Sequence, residues 1–267
     1  QKAICLSNGE ISTEQENIQV LFKYQPADRI LREIYAGIGK TVRSVEAKSV
    51  RKGEKQVIAV YSPWNHRLRT PFALTAAEQL SAGKKVLYLN FSICNGFCKS
   101  MGLEPDVDMG DLFYLLREDE EALLAKLKSG IYPLGSYQII PPPSNPEHYM
   151  EWRKGEVRHF LEILLEKTDF EVLVLDMGCV MNGFFEVLDL CGRIWILKEH
   201  WTSKDSGIEE LRELLEKFKA GLEERVEEVF LPGGQAWRED GTIQVEEFYM
   251  GEVGNCVRRL LGGEYAS

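Results

Sequence analysis

Two short, unbroken apolar runs at residues 57–60 and 86–89 enclose a stretch at 72–81 with the composition of a helix, and no other feature restricts the fold so tightly. A strand open to water on one face alternates polar and apolar side chains, so strands apolar throughout belong inside a sheet covered on both faces. The spacing predicts further strands over 137–140, 172–175, 193–197 and 228–231. It predicts helices over 109–116, 118–129, 147–168, 183–190, 206–220 and 253–261. This alternation predicts an α/β fold, a mostly parallel sheet with helices on both faces. Pro141, Pro142 and Pro143 stop one strand at its carboxyl end, the edge at which open α/β sheets bind ligands.

The first residues read differently. Strands are expected over 3–6 and 20–24, then a helix over 27–38 with Ile30, Leu31, Ile34 and Tyr35 at helical spacing, too little to stand as a domain. The polar stretch 41–55 reads as a linker. The expected organisation is a partial segment and linker start over 1–45 and a main domain over 46–267. The abrupt opening on Gln1 suggests a fragment or a processed chain.

A formal net charge of −10 opposes sequence-independent binding of nucleic acid, which needs clustered Lys and Arg. No run of about 18 apolar residues or signal peptide is present, so stable membrane insertion is not expected and a cytoplasmic location is. The six cysteines are too sparse for a disulfide framework and read as reduced thiols. Cys94 and Cys98 lack the second Cys or His pair that a zinc site needs.

Between the strand at 57–60 and the following helix the chain has the outline of a phosphate-binding strand, loop and helix, yet residues 62–70, SPWNHRLRT, contain no glycine. Glycines let such a loop take positive φ and bring its amides close to phosphate oxygens. Asn65 tolerates that conformation, whereas His66 and Leu68 are poor substitutes.

Residues 56–262 resemble the MinD/ParA group of P-loop ATPases, in particular its pilus-associated TadZ/CpaE branch. The resemblance rests on VIAVYSP before the loop, TPFALTAAEQLSAGKKVLYLNF after it, then YQIIPPPSNPEHYMEW, FEVLVLDMG and GRIWILKEHWTSKDSGIEELRELLEKF in the same order. The opening VLFKYQPADRILREI resembles the last strand and helix of the receiver-like domain that precedes the ATPase domain in that branch, with Lys23 at the receiver lysine. The family loop Lys-Gly-Gly-x-Gly-Lys-Thr-Thr falls in register with Trp64-Asn65-His66-Arg67-Leu68-Arg69-Thr70-Pro71. By that register Asn65, His66, Arg67, Leu68, Arg69 and Thr70 would face the phosphates of ATP, and Thr70 and Asp176 would reach Mg2+.

Several groups that the resemblance calls for are replaced. Trp64 and Arg69 stand where the family has lysines, and Pro71 removes an amide from the first turn of the helix. Asn90-Phe91-Ser92 stands where the family places Asp-x-Asp, so no carboxylate is positioned to polarise a water. No catalytic residue is therefore expected, and ATP with Mg2+ is expected to bind weakly at most. Plainer roles remain open: Asp176 as a carboxylate that caps backbone amides, Arg67 and Arg69 as a solvated basic patch, Trp64 as a partner contact, and 253–261 as a packed closing helix. The replaced residues predict a pseudo-ATPase, and the resemblance implies that it acts as a homodimer with pilus or secretion assembly proteins and is recruited through them to the membrane or cell pole. Its rivals are an ATPase or nucleotide switch with an atypical loop, and a ParA-like DNA-associated partitioning protein.

Overall fold

A computed structural model of the protein describes residues 3–7, 18–22, 55–64, 67–93, 96–198, 206–231, 243 and 245–262. The chain divides into two compact units, Gln1–Ser49 and Val50–Ser267. In the first, β1 (Ala3–Ser7) and β2 (Ile18–Phe22) pair in parallel with Ala3 opposite Ile18. The expected helix over 27–38 and Lys23 lie outside the described residues, as does the expected linker except for Lys55.

The second unit is built on a seven-stranded sheet of β3 (Gln56–Tyr61), β4 (Val86–Phe91), β5 (Tyr132–Leu134), β6 (Tyr137–Ile140), β7 (Val172–Met177), β8 (Arg193–Lys198) and β9 (Val226–Phe230). Their order is β5-β6-β4-β7-β3-β8-β9, and every pairing is parallel except β5 with β6. The central strands are buried on both faces, as their unbroken apolar runs require.

Ten α-helices among the described residues accompany the sheet: α1 (Arg69–Ser81), α2 (Phe97–Ser100), α3 (Met109–Glu118), α4 (Glu120–Gly130), α5 (His148–Glu151), α6 (Glu156–Lys167), α7 (Phe184–Leu190), α8 (Ser206–Phe218), α9 (Val245–Met250) and α10 (Glu252–Leu260). Side chains alternate across each strand and so divide the core into two layers. Val57, Ala59, Leu87, Leu89, Leu173 and Leu175 pack with α3, α6, α7 and α8. Ile58, Val60, Tyr88, Val172 and Val174 pack with α1, α9 and α10.

Helix α1 is buried almost all round, because it lies between the sheet and α9 and α10. Gln79 Nε2 donates to the Gly254 carbonyl at 2.9 Å, and a Cβ at position 254 would collide with the Tyr249 carbonyl. The closing helix expected over 253–261 is thus a packed element, with Val253, Cys256 and Val257 buried. No helix among the described residues is long and apolar enough to cross a membrane.

The structure departs from the sequence expectations in several places, the short helices α2 and α9 among them. The single helix expected over 147–168 is two, α5 and α6, because Trp152 turns into the core and stacks on Phe113 at 3.9 Å while Gly155 takes φ +87°. Strand β5 was not expected; its Pro133 is tolerated at the sheet edge, where the missing N–H breaks no ladder. Helix α1 begins at Arg69 rather than 72, and β7 runs to Met177 rather than 175, so Asp176 lies inside the strand.

Candidate functional site

Strand alternation assembles the site. Asp176 is paired with Asn90 of β4 on one side and Val60 of β3 on the other, at the carboxyl edge of the three central strands. Counting back by two from Asp176 and Asn90 puts both on the face that Val174 and Tyr88 share with α1. The first turn of α1 therefore sits directly over the Asp176 carboxylate.

Four described side chains donate to that carboxylate. Arg69 Nε reaches Oδ1 at 2.5 Å, while Thr70 Oγ1, Tyr88 Oη and Asn90 Nδ2 reach Oδ2 at 2.6, 2.8 and 3.3 Å. Arg69 also donates from Nη2 to Ser92 Oγ at 2.7 Å, so its fork ties α1 both to β7 and to the residue just past β4. Asn90 Nδ2 lies 3.0 Å from Tyr88 Oη, and Tyr149 Oη donates to the Asn90 carbonyl at 3.0 Å. Arg69 is 4% exposed and Asp176 is 0% exposed, so this ion pair is buried. A buried pair is tolerated when further hydrogen bonds satisfy the remaining polar atoms, and Thr70, Tyr88, Asn90 and Ser92 supply them here.

Burial, reinforced by the Asp176 charge, holds the Tyr88 phenol well above its ordinary pKa, so it stays protonated and donates. Burial likewise pushes the Cys179 thiol up to about 11, and its Sγ lies 3.2 Å from the Phe91 carbonyl. Gly178 donates its N–H to the same carbonyl at 2.8 Å. A Cβ on Gly178 would collide with Ser92 Oγ and with the Arg69 guanidinium, so the missing side chain is what makes room for the fork.

The residues singled out in the sequence are spread unevenly. Thr70, Arg69 and Asp176 come together, as just described. Arg67 is exposed, whereas Leu68 is 1% exposed, packs in the core and opens α1 through its carbonyl, which accepts from Phe72 N at 2.8 Å. Asn65 and His66 lie outside the described residues. Tyr88, Ser92 and Gly178 were not expected to take part; strand periodicity from Asn90 and Asp176 is the signal that would have pointed to Tyr88.

As arranged, these side chains do not fit a magnesium-bound nucleotide. The Arg69 guanidinium lies against the carboxylate that would hold the metal, and Tyr88 and Asn90 donate to its other oxygen. Pro71, in the first turn of α1, offers no amide. Among the described residues no group of three or more His, Cys, Asp and Glu could hold a metal ion elsewhere.

No protein-family model and no curated protein matches the chain by sequence. Solved structures do match by shape. A ParA family ATPase from Chlorobium tepidum TLS superposes with a TM-score of 0.54 at 16% identity, covering 79% of this chain and 95% of that one. Cyanthece apo McdA gives 0.52 at 15% identity over 78% of this chain and 99% of that one. Cobyrinic acid a,c-diamide synthase from Mycobacterium smegmatis, solved with bound ADP and magnesium, gives 0.51 at 13% identity over 79% and 97%. The second unit therefore shares the α/β fold of these solved structures, a ParA family ATPase among them. At these identities the likeness establishes the fold and leaves function to the site.

Proposed function

We propose that the chain is a non-hydrolysing protein of the MinD/ParA fold that acts through protein contacts, in the manner of the TadZ/CpaE branch of Flp/Tad-type pilus assembly or polar localisation. The observation that carries the reading is the Asp176 carboxylate, already occupied by Arg69, Thr70, Tyr88 and Asn90. Phosphoryl transfer depends on positioned cations and a positioned water, and Asn90 and Ser92 supply no carboxylate for either.

Contact with other proteins is supported by what this edge of the sheet exposes. Trp64, Ile93 and Val180 follow β3, β4 and β7 by a few residues and are 49, 45 and 68% exposed. Large apolar side chains in water at one sheet edge are typical of an interaction surface, and Trp is common among binding anchors. In this reading the edge joins two copies as a homodimer or receives an assembly protein. Residues 1–45 are the end of a receiver-like domain, 46–267 form the ATPase-fold domain, and partners bring the chain to its place in the cell.

A second reading, an ATPase or switch with an atypical loop, is favoured by Thr70 and Asp176 lying 2.6 Å apart, the two oxygen donors that a metal would use. Isothermal titration with ATP and Mg2+, joined to a phosphate-release assay, separates them. The proposed function gives neither heat at millimolar nucleotide nor release of phosphate; Mg2+-dependent turnover that Asp176→Ala abolishes would establish the second reading instead.

A further inference from the structure

We propose that Arg69 is a built-in occupant of a cation site, its guanidinium standing permanently where the surrounding oxygens would otherwise hold a divalent metal. The inference deepens the non-hydrolysing reading and rests on it: the site is filled from within as well as lacking catalytic groups. The atoms around the fork are those of a hard-cation site. Asp176 Oδ1 and Ser92 Oγ bind it directly, while Thr70 Oγ1 and Tyr88 Oη converge on the other Asp176 oxygen at 2.6 and 2.8 Å. A carboxylate with neighbouring hydroxyls is the donor chemistry that suits Mg2+ or Mn2+.

The fold accommodates this occupant specifically. Room for the fork depends on Gly178, because any Cβ there would strike both Ser92 Oγ and the guanidinium. The two bonds leave from different nitrogens, Nε to Asp176 and Nη2 to Ser92, a geometry that a planar fork provides and the single ammonium of lysine does not. A covalently attached cation cannot dissociate. The first turn of α1, the end of β7 and the residue after β4 are therefore held in one arrangement, and the apolar edge around Trp64, Ile93 and Val180 is presented whether or not nucleotide and metal are in solution.

The test asks whether removing the occupant uncovers a metal site. Mn2+ alone is titrated into the full chain, into Arg69→Ala and into Arg69→Ala/Asp176→Asn, reading the loss of the free-ion EPR signal and the melting temperature. The proposal predicts no binding by the parent chain or the double variant. Arg69→Ala is expected to take one Mn2+ per chain and to melt roughly 5–10 °C higher at a hundredfold excess over its Kd. Arg69→Gln, which keeps a donor and drops the charge, is measured alongside; a variant that refolds only with Mn2+ present also supports the proposal. Mn2+ binding at this site by the parent chain would overturn it, as would no binding by either single variant, or failure of both to fold even with Mn2+. A chain that neither binds nor cleaves ATP, but whose variants take no metal, would leave the proposed function standing and remove this inference alone.

Discussion

Asp176→Asn keeps the size of the side chain and an acceptor for Thr70 and Tyr88 but removes the charge opposite Arg69, which is 4% exposed and cannot turn to water without moving α1. Leaving one member of a buried pair uncompensated costs about 3–5 kcal/mol. For a unit of this size that is a fall in melting temperature of roughly 6–20 °C. Arg69→Met is expected to cost a similar amount, since the carboxylate is then the buried, unpaired charge. Arg69→Met/Asp176→Asn leaves no such charge, so its loss should fall short of the sum by about 2–3 kcal/mol. Urea denaturation followed by tryptophan fluorescence measures all three. Simple additivity, or a loss below about 1 kcal/mol for Asp176→Asn, would show that the charges are solvated and would refute the reasoning.

Gly178→Ala should destabilise by about 1–3 kcal/mol through overpacking, and Ser92→Ala in the same chain should recover part of that by removing the nearest atom, Oγ; both are read by thermal melting. Alkali should weaken the fold. Cys179 is raised from 9.0 to about 11, so its contribution is complete below pH 9 and is lost as pH rises through about 11. Tyr88 and Tyr149 are raised from 10.0, chiefly by burial, and act in the same direction; stability that stayed level across that range in urea titrations would contradict the assignment. Trp64→Ser should change stability by no more than about 0.5 kcal/mol, since the side chain is 49% exposed, yet weaken self-association or partner binding in sedimentation velocity.

Much of the fold was legible because the apolar runs that become β3, β4 and β7 have one physical explanation, burial on both faces of a parallel sheet. The split between α5 and α6 was not legible. It depends on Trp152 finding the Phe113 ring, a contact between residues far apart in the chain that overrides local helical spacing. In the site, Thr70 and Asp176 were singled out by register with the MinD/ParA group, and Asn90 and Ser92 stood out only against the acidic pair that the resemblance calls for. The direction of Arg69 could not be read. Whether a guanidinium faces an incoming anion or a carboxylate of its own chain depends on the room left by Gly178 and on the acceptors Asp176 and Ser92, all set by tertiary packing.

The account stands or falls on what occupies the Asp176 carboxylate when nucleotide is abundant. A crystal structure determined after equilibration with millimolar ATP and Mg2+ measures this directly. The account predicts Arg69 still bonded to Asp176 and Ser92, with Thr70 on the second carboxylate oxygen. A metal ion between Thr70 and Asp176, with Arg69 swung away onto phosphate, would contradict it.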